Sequence, residues 1–171
     1  MCKNGLWRRS HYKWDRKPEA VQFRGATTLS LDAKNRLAVP TKYRQTILDA
    51  CAGNLVLTVH PHGCLMLYPQ PAWEPVEKDL MSRPSFDEEV SMMQRTVVGM
   101  AEDLEMDGTG RILISNVLKN FASLDKEVML VGQLTRFEIW NLDTWNEKMA
   151  RLMPTAGQKF VMPAALSDFS L

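Results

Sequence analysis

Between residues 26 and 31, polar and apolar positions alternate with the period of two that is typical of a strand with one buried face. The alternation stops at Asp32. An Asp side chain can accept hydrogen bonds from backbone N–H groups two residues on, and Asn35 tolerates a positive φ. We therefore predict a turn over residues 32–35 and a short return strand over residues 36–39.

The same pattern returns later in the chain. Residues 101–106 alternate, an Asp-x-x-x-Arg motif follows, and a short apolar segment ends at Ser115. Asp32 and Asp107, like Arg36 and Arg111, are 75 residues apart. In the second copy, glycines such as Gly110 supply the backbone freedom that Asn35 supplies in the first. A repeat with matching flanks indicates a repeated architecture.

Each turn is followed by a segment with helical spacing. Pro40 and Thr41 suit a helix start, and Ser115 is a candidate N-cap for the second helix. Lys42 and Arg44 should point away from the core, where they form either a solvated exterior or a phosphate-binding surface. The positions expected to face the core are Tyr43, Ile47 and Leu48 in the first helix and Leu118, Phe121 and Ala122 in the second.

A hairpin of buried type then follows each helix, over residues 55–68 and 127–140, and each hairpin leads into another helix. Each half therefore has the order hairpin, helix, hairpin, helix. The joining segment is predicted to be an amphipathic helix, because apolar residues recur there at i, i+4, i+7 and i+11. These residues are Phe86, Val90, Met93 and Val97.

These elements predict an α+β, β-rich protein built from two tandem repeats. A lone β-rich half of about 55 residues would bury too little surface to be stable, so the halves should intertwine into one barrel with pseudo-two-fold symmetry and flanking helices. The expected divisions are a mobile extension at 1–22, a first repeat with its linker helix at 23–97, a second repeat at 98–153 and a tail at 154–171.

Composition adds the charge distribution. The net charge is only +1, but residues 24–44 carry five basic residues against Asp32, whereas residues 83–105 carry two against six acidic ones. No apolar run is long enough for a membrane span or a signal peptide, so we expect a cytoplasmic protein without membrane association. Three cysteines without Cys-x-x-Cys spacing argue against a disulfide framework.

Little in the sequence supports an enzymatic function. His60, His62 and Cys64 occupy alternate positions, a spacing that can hold a metal on one face of a strand. No second cluster in the sequence supplies the remaining ligands. Phosphate-binding loops, nucleophile elbows and zinc-protease helices are missing from the sequence. We therefore expect a protein without enzymatic activity, cofactor or metal.

The remaining class of function is binding to another molecule. We expect Asp32 and Arg36 to form a charge-assisted pair at the mouth of the first turn, leaving its tip to project. Arginine can read guanine in bidentate fashion, whereas lysine serves mainly as a phosphate charge. The predicted DNA-binding residues form a compact basic knuckle, with Lys34 and Arg36 at the turn and Arg24, Lys42 and Arg44 behind it.

Five segments of the chain resemble the bacterial MraZ family of transcriptional regulators. They are Phe23-Arg-Gly-Ala-Thr, Leu31-Asp-Ala-Lys-Asn-Arg-Leu-Ala-Val-Pro-Thr-Lys-Tyr-Arg44, Cys64-Leu-Met-Leu-Tyr-Pro69, Met106-Asp-Gly-Thr-Gly-Arg-Ile-Leu-Ile114 and Lys126-Glu-Val-Met-Leu-Val-Gly-Gln133. The resemblance runs from about Phe23 to the C-terminus. It implies two AbrB-like (MazE-like) swapped-hairpin modules in one chain.

The resemblance also implies a ring-shaped homo-oligomer that binds short direct repeats in double-stranded promoter DNA. The expected function is repression of the division and cell-wall gene cluster, including the protein's own promoter, with a nucleoid-associated location. By motif, Asp32 with Arg36 and Asp107 with Arg111 are the family's paired signatures, and Arg36 matches the arginine expected to face DNA.

Two departures qualify the match. Asn35 stands where the family usually has glycine, and residues 1–22 precede the point where family members begin, so we expect native translation to start at Val21.

The alternative function is an oligomeric scaffold or antitoxin-like partner module that does not bind DNA. Because charge is weaker around the second turn, we expect that turn to serve chiefly the core or subunit contacts.

Overall fold

The computed structural model describes residues 22–152. Apart from Gln22, the extension expected at 1–22 lies outside these residues, as do the start at Val21 and the tail at 154–171. The first half contains β1 (Phe23–Ser30), β2 (Arg36–Ala38), α1 (Thr41–Cys51), β3 (Asn54–His60), β4 (Cys64–Pro69) and α2 (Gln70–Met81). The joining helix α3 (Glu88–Met93) continues into a π-helical turn (Gln94–Val98). The second half contains β5 (Glu102–Glu105), β6 (Arg111–Leu113), α4 (Asn116–Phe121), β7 (Glu127–Leu134), β8 (Phe137–Asn141) and α5 (Leu142–Leu152).

The two halves share one six-stranded antiparallel sheet with the order β1-β7-β8-β4-β3-β5. Exchanging equivalent strands of the two halves reverses this order, so an approximate two-fold axis passes between β4 and β8. β1 of the first half pairs with β7 of the second, from Phe23 opposite Leu134 to Ser30 opposite Glu127. β5 of the second half pairs in turn with β3 of the first. The sheet therefore intertwines the halves.

β2 and β6 form a separate two-stranded ribbon, one strand from each half. Leu37 lies opposite Ile112, and both are fully buried. Within its own half, β2 contacts the end of β1 through one isolated bridge, between Leu31 and Leu37. The strands on either side of the Asp32 turn thus pair mainly with the other half of the chain.

The predicted closed barrel is not seen. Within residues 22–152, β1 and β5 are the two edges of the six-stranded sheet and no pairing joins them. β5 has only four residues, and they align with Asn54–Leu57 of β3. Closure would require the edge strands to hydrogen bond with each other.

The main core lies between the sheet, the ribbon and α1 and α4. Phe23, Tyr43 and Phe137 pack there with ring centroids 4.0 to 5.7 Å apart. A second cluster, built around Tyr68 and Trp73, lies where α2 covers β3 and β4. Burial of these apolar side chains is the main contribution to the stability of the association between the two halves.

Two predicted helix faces need correction. Tyr43 and Ile47 are buried in α1, but Leu48 is 45% exposed. In α4, Leu118 is fully buried, whereas Phe121, in the last turn of this six-residue helix, is 37% exposed. A helix packed on one side buries a narrower stripe than an i, i+4, i+5 set covers.

The joining helix is also shorter than predicted. The helix begins after Asp87, the N-cap, which accepts hydrogen bonds from the backbone of Glu89 and Val90, so Phe86 precedes it. Phe86 is fully exposed. The π-helical turn then changes the helical period. As a result Val97 is buried, whereas Met93 is 38% exposed.

Candidate functional site

The first turn is organised by the carboxylate of Asp32. Its Oδ1 accepts hydrogen bonds from the backbone N–H groups of Lys34 (2.8 Å) and Arg36 (2.9 Å). The backbone closes over it, since Asn35 N–H donates to the Asp32 carbonyl at 2.9 Å. Asn35 has a φ of 59°, as predicted. The position therefore needs a residue that accepts the left-handed conformation.

Asp32 also holds Arg36. The Nε of Arg36 donates to Asp32 Oδ2 at 2.7 Å, which is the ion pair predicted from the motif. Hydrogen bonds from the Arg36 backbone and side chain lower the pKa of Asp32 from 3.8 to about 2. The carboxylate is therefore ionised at neutral pH, and it restrains the guanidinium of Arg36. Within the described part of the chain, the Nη groups of Arg36 have no hydrogen-bond partner.

The second turn has the same backbone and different side-chain bonds. Gly110 N–H donates to the Asp107 carbonyl, and Asp107 Oδ1 accepts from the backbone of Thr109 and Arg111. Here the Thr109 hydroxyl also donates to that oxygen, at 2.6 Å, and this bond is the main reason that the pKa of Asp107 is lowered. Among residues 22–152, Arg111 makes no ion pair with Asp107.

Each turn is anchored to the other half by an equivalent backbone bond. Ile114 N–H donates to the Asn35 carbonyl at 3.0 Å, and Val39 N–H donates to the Gly110 carbonyl at 2.9 Å. These four residues are related by the same offset of 75. The repeat in the sequence is therefore a repeat of mutual anchoring between halves.

The helices brace the turns across the same boundary. Arg44 of α1 lies against Gly110 and donates from Nε to the Val39 carbonyl at 2.8 Å. Lys119, the equivalent residue of α4, donates from Nζ to Asn35 Oδ1 at 2.9 Å. Sequence reasoning missed Lys119, although the offset of 75 from Arg44 was available as a signal.

The five predicted DNA-binding residues do not form one cluster. Lys34 and Arg36 lie at the first turn, whereas Arg44 lies at the second. Arg24 lies near the start of β1, and the side chain of Lys42, a residue of α1, lies beside it near Gly25. The Tyr43 hydroxyl donates to the Arg24 carbonyl, and Lys42 Nζ lies 4.6 Å from the centre of the Tyr43 ring. At about 3.3 Å per residue, β1 separates them from the first turn by roughly 20 Å.

The outer face of the ribbon places two arginines near each other. Arg36 lies opposite Leu113 and Ala38 opposite Arg111, while Leu37 and Ile112 between them face the core. Directly opposed residues in an antiparallel pair share a face. Arg36 and Arg111, one from each repeat, therefore share an exposed ribbon face.

The histidine and cysteine positions considered as metal ligands lie elsewhere. His60 and His62 border an open groove of about 730 Å³ between the β3–β4 turn, α2 and the π-helical turn. His60 Nδ1 accepts from the His62 backbone, and Cys64 is fully buried, which raises the pKa of its thiol to about 12. Among the described residues there is no group of three His, Cys, Asp or Glu side chains placed to hold a metal.

Fold and site together define a β-rich protein of two fused repeats, each with an Asp-x-x-x-Arg turn anchored by the other. No helix within residues 22–152 is long and apolar enough to cross a membrane. The family described as "MraZ protein, putative antitoxin-like" matches residues 22–96 and 97–158, and the chain belongs to this family.

Named relatives agree with this assignment. The chain is 50% identical to the transcriptional regulator MraZ of Methylobacillus flagellatus, over 87% of this chain and 99% of that protein. It is 48% identical to the protein of that name from Nitrosospira multiformis and 45% identical to one from Pseudomonas aeruginosa, with the same coverage. The family is thus one of transcriptional regulators, which points away from an enzyme.

Proposed function

We propose that this protein is a sequence-specific DNA-binding repressor that acts as a ring-shaped homo-oligomer on short direct repeats. Its targets would be its own promoter and the division and cell-wall gene cluster that this promoter serves, in the cytoplasm at the nucleoid. The proposal extends the printed names of the relatives, which call them transcriptional regulators. The observation that carries it is the restrained Arg36 beside the projecting Lys34.

Restraint of Arg36 favours specific recognition. Reading guanine requires the planar guanidinium to meet two acceptors at a fixed angle. Because Asp32 already holds Nε, less side-chain entropy is lost when the Nη groups bind a base. Lys34 is exposed at the tip, where its charge suits a phosphate.

The remaining basic residues have three roles in this proposal. Arg111 extends the reading face, since it shares the outer side of the ribbon with Arg36. Arg24 and Lys42 form a separate patch that would contact the DNA backbone further along. Arg44 contributes charge while bracing the second turn.

The swapped-hairpin assignment is supported by the pairing of the strands around each turn. β1 and β2 flank the first turn, yet they pair with β7 and β6 of the other repeat. A ring is supported by exposed apolar side chains around α2 and α3, since grouped exposed apolar residues mark interaction surfaces. The residues are Met81, Phe86, Met92 and Met93. Several turns presented to consecutive repeats would raise affinity through effective concentration.

The test is a fluorescence-anisotropy titration of the full chain with two duplexes, one from its own upstream region and one of scrambled sequence. Arg36→Ala should lower affinity for the upstream duplex by about tenfold to a hundredfold, because a bidentate base contact is lost. Binding should also weaken steeply with salt as counterions are released. Oligomer mass should not change.

Arg83→Ala is the matched control. Arg83 is also paired with an Asp four residues before it, Asp79, at 2.9 Å, but it lies two residues beyond the end of α2. Because Arg83 lies between Met81 and Phe86 of the proposed ring surface, the oligomer mass of this variant is measured first. With that mass unchanged, the variant removes the same charge and should leave affinity for both duplexes unchanged. Unaltered affinity of Arg36→Ala for the upstream duplex would contradict the proposal.

The second candidate is a scaffold or antitoxin-like module that binds a protein partner. The family description includes an antitoxin-like character, and the exposed apolar residues suit a protein surface. The same titration separates the two functions. A scaffold shows no preference between the upstream and scrambled duplexes.

A further inference from the structure

Asn35 is tied to the second repeat through both ends of its carboxamide. Its Nδ2 donates to Asn116 Oδ1 at 2.8 Å, and its Oδ1 accepts from Lys119 Nζ at 2.9 Å. Its backbone carbonyl accepts from Ile114 N–H at 3.0 Å. The residue at the tip of the first turn thus makes three hydrogen bonds to residues about 80 positions away in the sequence.

The helix that carries two of these partners is itself fixed. α4 begins at Asn116, and Ser115 is its N-cap, with Oγ accepting from Leu118 N–H. Leu118 is fully buried in the main core. Asn116 and Lys119 therefore join the turn to a rigid element rather than to a mobile loop.

The second turn lacks this link. Gly110 stands at the position of Asn35 and has no side chain to hold. Arg44, at the position of Lys119, donates instead to the Val39 carbonyl. Thr41, at the position of Asn116, makes no recorded side-chain hydrogen bond within the described residues. The side-chain link is thus a property of the first turn.

We infer that α4 of the second repeat positions the first turn for DNA recognition, and that Asn116 and Lys119 are positioning residues for Lys34 and Arg36. This inference rests on the proposed function. The bonds made by Asp32 fix the local shape of the turn, and the carboxamide of Asn35 fixes its direction relative to the ribbon. A turn held in its binding orientation avoids an ordering cost when it meets DNA.

The inference predicts an effect on specificity that a charge effect would not produce. Asn116→Ala removes an acceptor from Asn35 without changing charge. It should reduce the ratio of affinities for the upstream and scrambled duplexes by roughly two- to tenfold, the range expected from one hydrogen bond. The dependence of affinity on salt should change little, since every basic residue is retained.

Three further variants complete the test. Thr41→Ala is the matched control at the equivalent position of α1 and should keep the full ratio. Lys119→Met should lower the ratio, whereas Lys119→Arg, which retains a charged donor, should restore it. Thermal melts by circular dichroism check that every variant is folded, and NMR exchange of the Asn35 side-chain amide reports the link directly.

The outcomes separate this inference from the proposed function. If Arg36→Ala loses the preference for the upstream duplex while Asn116→Ala and Lys119→Met retain it, the positioning role is overturned and the proposed function stands. An equal fall in the ratio for Thr41→Ala would also overturn the role. If the unaltered protein shows no preference, the proposed function fails and this inference fails with it.

Discussion

The two Asp-x-x-x-Arg turns have nearly the same backbone and different side-chain chemistry. In both, an Asp carboxylate accepts the backbone N–H of the Arg four residues later. In the first turn the carboxylate also holds the Arg36 side chain, whereas in the second its extra donor is the Thr109 hydroxyl. The extra donor differs because Lys34 stands where the second turn has Thr109.

The comparison shows that a repeated motif can keep its folding role while its exposed side chains diverge. Both turns anchor the opposite repeat through equivalent backbone bonds. Arg36 is restrained and half-buried, whereas Arg111 is exposed and unpaired with its Asp within residues 22–152. The expectation that the second turn serves chiefly the core or subunit contacts must therefore allow for an exposed Arg111 on the ribbon face.

The largest effect on stability is expected at Gly110. It has a φ of 77°, and a Cβ placed there would lie 2.3 Å from Arg44 Nε. Gly110→Ala should cost about 2–3 kcal/mol, from left-handed strain and the displaced Arg44 hydrogen bond. Urea unfolding measures this loss. Gly108→Ala is the control, since a Cβ there meets nothing within 4 Å, and a similar loss for both variants would contradict the explanation.

A smaller effect is expected at the start of α4. Ser115 caps this helix and its Oγ also donates to Glu102 at 2.7 Å, whereas Pro40 at the equivalent position of α1 makes no side-chain cap. Ser115→Ala should lower the free energy of unfolding by about 1 kcal/mol. Thr46→Ala, at an exposed position of α1, should change it by less than about 0.5 kcal/mol. Equal values for the two variants would show that the cap has no net effect.

Asn35→Gly should make the first turn more like the second at little cost. Glycine relieves the positive φ but loses the two side-chain bonds to α4, so the net change in unfolding free energy should stay within about 1 kcal/mol. Asn35→Val should be clearly more destabilising, because a β-branched residue opposes a positive φ. Chemical denaturation of both variants tests this order, and a tolerated valine would contradict it.

The smallest expected effects are on the pKa of Asp107 and on the contacts of Asp32. Thr109→Val, which removes the hydroxyl without adding a charge, should raise the pKa of Asp107 toward its ordinary 3.8, because the Thr109 hydroxyl bond is the main cause of its lowering. Lys34→Thr should keep the pKa of Asp32 low while speeding exchange of the Arg36 Nε proton. NMR titration of the carboxyl carbons and exchange measurements read both effects, and an unchanged Asp107 would contradict the assigned cause.

The lowered pKa of Asp32 also determines how the stability of the protein depends on pH. Asp32 has a pKa of about 2 in the folded protein, below its ordinary 3.8. The stability that it contributes is therefore fully present above a pH of about 4 and is lost as the pH falls toward 2. Near neutral pH, the first turn should be insensitive to pH.

The sequence by itself determined what depends on neighbours in the chain. Period-two alternation located β1, the Asp and Asn side chains identified the first turn, and Ser115 was recognised as an N-cap. Local hydrogen bonds and allowed φ values decide these features, so the residue types suffice. The 75-residue offset likewise predicted that the second turn would repeat the first.

Tertiary structure alone decided which segments meet. Pairing of β1 with β7, the open sheet in place of a barrel, and Arg44 against Gly110 all depend on packing between residues far apart in sequence. The five basic residues are close along the chain, which predicts one cluster. They are separated because β1 runs away from the turn and α1 braces the other repeat, and the partners of Asn35 come from that repeat as well.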